Sequence, residues 1–332
     1  MNELAFPLLV GLIIIALAFD FLNGLHDAAN SIATVVSTRL LSPVWAVVFA
    51  AFGNFAAYWL VGLHVAETVG KGIVDKDTVT PAVVFGALIG AIFWNIVTWL
   101  KGIPSSSSHA LIGGLLGAGI AHGGFGVVES SGTTKTVLAI FLSPMIGFVL
   151  AMLMVLITSW VFKGFQPRRA EGWFKSLHLF SSAAYSISHG ANDAQKTMGI
   201  ITVLLYSTGR LGGEFHVPEW VVISCYLAIS LGTLSGGWRI IKTMGTKFTK
   251  LNHHTGFCAS TAGSFVVFGA SAMGIPISTT HAITGSVIGT GAARKASAVR
   301  WGVAGRVVTA WFITIPISAA VGALFYTLTR MF

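Results

Sequence analysis

The sequence predicts an all-α, polytopic membrane protein with an inverted-topology internal repeat, broken helices or re-entrant hairpins, and about 8–10 membrane segments. Three observations predict it. Of 332 residues, 54% are hydrophobic and only 9% charged, with a mean hydropathy of +0.80, whereas soluble domains carry about a quarter charged residues. Apolar runs suited to about 30 Å of hydrocarbon recur along the whole chain. Finally, the stretch GIPSSSSHALIGGLLGAG at 102–119 returns as GIPISTTHAITGSVIGTG at 274–291, with nine identities at a constant offset of 172.

Taken in order, the apolar runs cover 6–19, 44–63, 81–100, 137–162, 177–205, 220–235, 256–272 and 303–326. The start, MNELAF, lacks the basic region of a cleavable leader, so the first run is expected to stay as a span. Segments 81–121 and 256–293 each read as a hairpin interrupted at its centre by glycine and proline. Cys225 and Cys258 fall inside apolar runs and read as packing residues.

The net charge of +9 does not describe a nucleic-acid protein, because the cations lie between apolar runs rather than on one soluble face. They give sidedness instead. The loops 163–175, 239–250 and 294–300 hold most of them and are expected in the cytoplasm. The loops 65–80, 122–135 and 206–219 carry balancing acids and are expected outside, as is the N-terminus. Counting crossings then orients the second copy opposite to the first. The expected organisation is one repeat over 1–162, a basic linker over 163–175 and an inverted second repeat over 176–332.

A helix that resumes after Ser105–Ser108 presents free backbone N–H groups and its positive dipole end to whatever fills the break. An oxyanion is the expected occupant, held by the hydroxyls of Ser105, Ser106, Ser107 and Ser108 and, from the other repeat, Ser278, Thr279 and Thr280. His109 and His281 lie one turn further on and are candidates for the same site. A second duplication pairs GLHDAAN at 24–30 with GANDAQK at 190–196. A carboxylate inside an apolar segment costs about 2.5–3.5 kcal/mol on insertion scales, so Asp27 and Asp193 call for a partner or a pathway. Asn30 shares a helix face with Asp27, a pairing suited to a cation or a proton relay. Lys196 holds the equivalent place beside Asp193 and would add positive field for an anion. Asp20 is a third candidate for ion coupling.

These motifs resemble those of the inorganic phosphate transporter (PiT) family, whose mark is a duplicated GANDxAN-like segment; here the copies are NGLHDAAN at 23–30 and HGANDAQKTMG at 189–199. The resemblance covers essentially the whole chain. It implies symport of inorganic phosphate across the plasma membrane without a cofactor, in a homodimer in the bilayer, with both aspartate motifs and both hydroxyl-rich segments forming one midplane site. It adds Asn192 and Gln195 to the substrate set and assigns Asp27, Asn30 and Asp193 to the motif. Two positions depart from the family pattern: His26 stands before the first aspartate, and Lys196 ends the second motif. The second removes the asparagine oxygen that a sodium site would need there and so favours protons over sodium as coupling ion, with phosphate carried free or as a neutral complex with a divalent metal. Sulfate is the alternative substrate.

Two other classes make different demands on the sequence. An intramembrane hydrolase using Ser108 and His109 fails on geometry, because adjacent helical residues point about 100° apart. A passive anion channel differs in lacking uphill accumulation.

Overall fold

The computed structural model describes residues 6–331; the MNELA start lies outside them. Among the described residues there is no strand, only an isolated bridge between Val74 and Val128. The helices are α1 (Phe6–Ser37), α2 (Pro43–Leu60), α3 (His64–Lys71), α4 (Pro81–Lys101), α5 (Ser107–Gly123), α6 (Ser130–Val161), α7 (Pro167–Ser207), α8 (Glu219–Ser235), α9 (Trp238–Thr246), α10 (His253–Ala272), α11 (Thr279–Arg294) and α12 (Trp301–Thr329). Short 3-10 turns precede α6 and α12, at Phe125–Val127 and Ala296–Ala298. The order of elements in α1–α6 thus recurs in α7–α12.

Local chemistry explains the boundaries. Ser42 and Thr80 cap α2 and α4, each followed by a proline at the first helical position, where its missing N–H costs nothing. Asn252 and Thr255 form a reciprocal capping box on α10. Gly102 and Gly274 close the helices before the two breaks at φ +62° and +66°, a left-handed conformation that glycine adopts without steric cost. Ser106 and Ser278 then cap the resumed helices, each accepting the N–H of the histidine three residues on, at 3.2 and 3.1 Å.

Among the described residues, five helices are long and apolar enough to cross a membrane: α1, α2, α4, α6 and α12. The pair α8–α9, bent by 74°, passes as a sixth. The apolar runs expected as spans also include α7 and α10, which miss that test. Both are walled in by neighbouring helices, and their buried faces are rich in glycine, serine, threonine and histidine rather than leucine. Three segments expected as loops are partly helical: α3 runs from His64 into 65–80, α9 from Trp238 into 239–250, and α7 begins at Pro167, inside the expected linker 163–175.

The packing crosses between the repeats. Helix α5 lies along α12, and α11 lies along α6. Glycines permit both approaches: a Cβ at Gly113 or Gly117 would meet the carbonyl oxygens of Ile315 and Ala319, and one at Gly285 or Gly289 those of Pro144 and Phe148. Close backbone approach through small residues replaces the hydrophobic drive that lipid removes. A Cβ at Gly117 falls 2.0 Å from Ala319 O, so Gly117→Val is expected to destabilise the chain by about 1–3 kcal/mol. Thermal unfolding in detergent checks this, with Gly269→Ala, where nothing lies within 4 Å, expected to leave the midpoint in place.

Candidate functional site

The middles of α1 and α7 and the starts of α5 and α11 meet in the protein interior, and their polar side chains are almost completely buried. The first-turn N–H groups of α5 and α11 have no intrahelical partner, so two positive helix ends from different repeats converge on one place.

The hydrogen bonds there repeat across the two halves. Ser107 and Thr279, each first in its helix, donate to the aspartate of their own half, Ser107 to Asp27 at 3.0 Å and Thr279 to Asp193 at 2.9 Å. Ser108 and Thr280, each second, are reached from the opposite half. Lys196 Nζ donates to Ser108 at 2.6 Å, and Asn30 Nδ2 donates to Thr280 at 2.9 Å. Lys196 also bonds Asp193 and the Ile277 carbonyl, the latter at 2.8 Å. Its ammonium is thus enclosed by a hydroxyl, a carboxylate and a carbonyl oxygen, a donor set that would also suit a small cation.

Around Asp27 the bonding differs. Thr98 Oγ1 donates to the Trp94 carbonyl at 2.9 Å and meets His26 Nε2 at 3.2 Å. His26 Nδ1 lies 2.6 Å from Asp27 Oδ1, within hydrogen-bond distance. Thr280 approaches the same Oδ1 at 3.4 Å.

Other residues expected at the site lie around its margins or elsewhere. Ser106 and Ser278 serve as caps. Ser105 is turned toward α12, bonding Thr314 at 2.8 Å and accepting from Trp94 Nε1 at 3.1 Å. Asn192 donates to Ser271 at 2.9 Å, on the far side of α7. Gln195 accepts the Val65 and Ala66 N–H groups and donates to Gly62 O at 2.7 Å, which makes it the cap of α3. His109 and His281 meet edge to face at 4.4 Å, and His281 stacks on Trp311 at 3.7 Å. None of their four ring nitrogens has a hydrogen-bond partner. Asp20 is fully buried, and both its carboxylate oxygens lack a partner.

Two residues of the site were not singled out from sequence. Asn23 accepts a bond from Ser107, and His189 Nε2 lies 3.1 Å from Asp193. They are equivalent at the motif offset of 166, and His189 precedes Asp193 by one helical turn; these two signals would have found them. Asp27, His189 and Asp193 together bring ligand atoms within 4.8 Å of one another, an arrangement able to hold a cation between the repeats.

A bundle of membrane helices with buried carboxylates and two converging helix starts at its centre defines a polytopic membrane transporter. The model of the phosphate transporter family matches residues 23–322, and the chain belongs to that family. It is 63% identical to a probable low-affinity inorganic phosphate transporter of Rhizobium meliloti (strain 1021), over 97% of either chain. A protein of the same description from Bacillus subtilis (strain 168) is 43% identical over 96% of either chain. A solved structure described as the sodium-dependent phosphate transporter superposes with a TM-score of 0.87 at 27% identity, covering 98% of this chain and 100% of that one. The relatives are described as transporters and not as enzymes.

Proposed function

We propose that the chain imports inorganic phosphate across the plasma membrane by proton symport, through alternating access of two inverted repeats about the site between Asp27 and Asp193. The observation that supports proton coupling is the contact of His26 Nδ1 with Asp27 Oδ1 at 2.6 Å, which sets an imidazole nitrogen against the carboxylate that sequence assigns to ion coupling. Both departures from the family motif support it, since each places a nitrogen base against an aspartate: His26 on Asp27 and Lys196 on Asp193. Asp20, buried without a partner, stands as a further stop for the coupling ion.

Substrate would displace the internal bonds of Ser107, Ser108, Thr279 and Thr280 and take the two helix starts as ligands for its oxygens. The carboxylates favour phosphate over sulfate. Phosphate keeps at least one proton near neutral pH and can donate to an aspartate, whereas sulfate is acceptor-only and meets it as a like charge. The acidic cluster also gives a place for the metal of a neutral metal–phosphate complex.

A sodium-coupled reading has two observations in its favour: the solved structure on which the chain superposes is described as sodium-dependent, and the buried Oδ1 of Asn30 has no partner and, with Asp27 and Thr280, offers an oxygen-only set on the side opposite Lys196. Purified protein in proteoliposomes separates the two readings. Labelled phosphate is expected to accumulate under an inward proton gradient without sodium, and to resist excess sulfate. Accumulation only under a sodium gradient would replace the proton by sodium, and collapse by sulfate would change the substrate.

A further inference from the structure

Residues 220–332 contain no aspartate or glutamate, yet they carry nine of the 20 lysines and arginines. Four of these, Lys250, Arg294, Lys295 and Arg300, line one cavity of about 500 Å³ together with Thr246, Thr249 and Ser297. The cavity lies where the end of α11, the following 3-10 turn, the start of α12 and the α9–α10 link meet. Backbone bonds fix this corner: Arg300 N–H donates to Phe248 O at 2.9 Å, and Trp301 Nε1 donates to Ala296 O at 3.0 Å. Among the described residues none of the four cations forms an ion pair; the ion-paired lysines are Lys71, Lys76, Lys175 and Lys196.

The first half contains the same corner with the opposite chemistry. Gly124 caps the end of α5 as Lys295 caps the end of α11. Glu129 donates its N–H to the preceding link, at Ile73 O, as Arg300 does at Phe248 O. The link itself carries Asp75 and Asp77, and its one lysine, Lys76, bonds Asp77 at 2.8 Å and Tyr206 at 2.9 Å. Those bonds push the Lys76 ammonium above the ordinary lysine range. The backbone arrangement therefore forms with a glutamate where the second half has an arginine, so the fold does not require the cations. Sidedness in the membrane calls for positive charge in a loop, but not for its collection around a cavity with three hydroxyls.

We propose that this corner binds a phosphate-bearing anion, at a site separate from the one between the repeats. A volume of this size is typical of small-ligand sites, and unpaired lysine and arginine with hydroxyl donors are the groups that recognise phosphate oxygens. Trp301 starts the α12 span and places the corner at the depth of lipid headgroups. Two sources share the chemistry: the phosphodiester of an anionic lipid, and free inorganic phosphate. The inference does not depend on which ion drives transport.

The test uses the full chain in detergent, as wild type, Arg294→Gln/Arg300→Gln, and Arg168→Gln/Arg169→Gln as a control with the same loss of charge in the linker. Arg300→Glu is a second variant, since it installs the residue the first half carries at that place. Native mass spectrometry counts bound phosphatidylglycerol against phosphatidylcholine, and equilibrium binding of labelled inorganic phosphate counts sites per chain. If the ligand is a lipid, phosphatidylglycerol binding weakens roughly 10- to 30-fold in both corner variants, with the control and phosphatidylcholine unchanged. If it is free phosphate, the wild type and the control bind one phosphate more than the corner variants. Corner variants that match the wild type in both measurements overturn the proposal.

Discussion

Asp27→Asn in proteoliposomes is expected to exchange phosphate across the membrane without concentrating it. An asparagine keeps one acceptor oxygen, enough for the Ser107 bond now made to Oδ2 at the expense of the longer Thr280 approach to Oδ1, and it resembles the protonated carboxyl in shape and charge, so the site can still reorient with substrate bound. What it loses is the ability to take up a proton on one side and release it on the other. A difference of about two pH units is worth about 2.7 kcal/mol per proton, a limit of roughly 100-fold accumulation in the wild type. In the variant the internal concentration should stop at the external one, while counterflow of labelled against unlabelled phosphate continues. Concentrative uptake by Asp27→Asn at the wild-type ratio would remove this residue from the proton path.

Lys196→Asn is expected to weaken phosphate binding by roughly 10- to 150-fold, the equivalent of losing one charged hydrogen bond of about 1.5–3 kcal/mol. It should also make the protein respond to sodium. The ammonium lies among Ser108 Oγ, the Asp193 carboxylate and Ile277 O. Removing it leaves a buried carboxylate short of a partner, a defect of about 3–5 kcal/mol. A sodium ion drawn into that oxygen set would offset the loss and raise the unfolding temperature with the logarithm of its concentration above its Kd. The wild type, with its tethered cation in place, should show no such rise. A melting curve of Lys196→Asn indifferent to sodium, with phosphate affinity intact, would reduce the lysine to a packing role.

Much of this arrangement was legible in the sequence, for identifiable reasons. The two breaks were visible because glycine, proline and clustered hydroxyls rarely coincide in apolar sequence, and Gly102, Gly274, Ser106 and Ser278 take the conformations those residue types favour. Asp27, Asn30, Asp193 and Lys196 were visible because i, i+3 spacing puts each pair on one helix face. The same spacing explains what a contiguous motif hides. Asn192 and Gln195 also share a face, but it is turned about 100° from that of Asp193 and Lys196, toward α10 and α3. The short helix α3 was hidden because its N-terminus is capped by Gln195, which is 130 residues away from Val65 in the chain. The apolar runs placed α7 and α10 in the sequence, but a helix surrounded by other helices is freed from the demand for apolar side chains, and the polar buried faces of these two keep them below the composition of a lipid-facing span.

The crossed packing of α5 on α12 and α11 on α6 bears on how far the two halves depend on each other. Each half supplies a glycine-lined surface that the closing helix of the other half covers, so neither half is complete alone. The short connection between α6 and α7 keeps the two in one chain, where each is always at hand to cover the other.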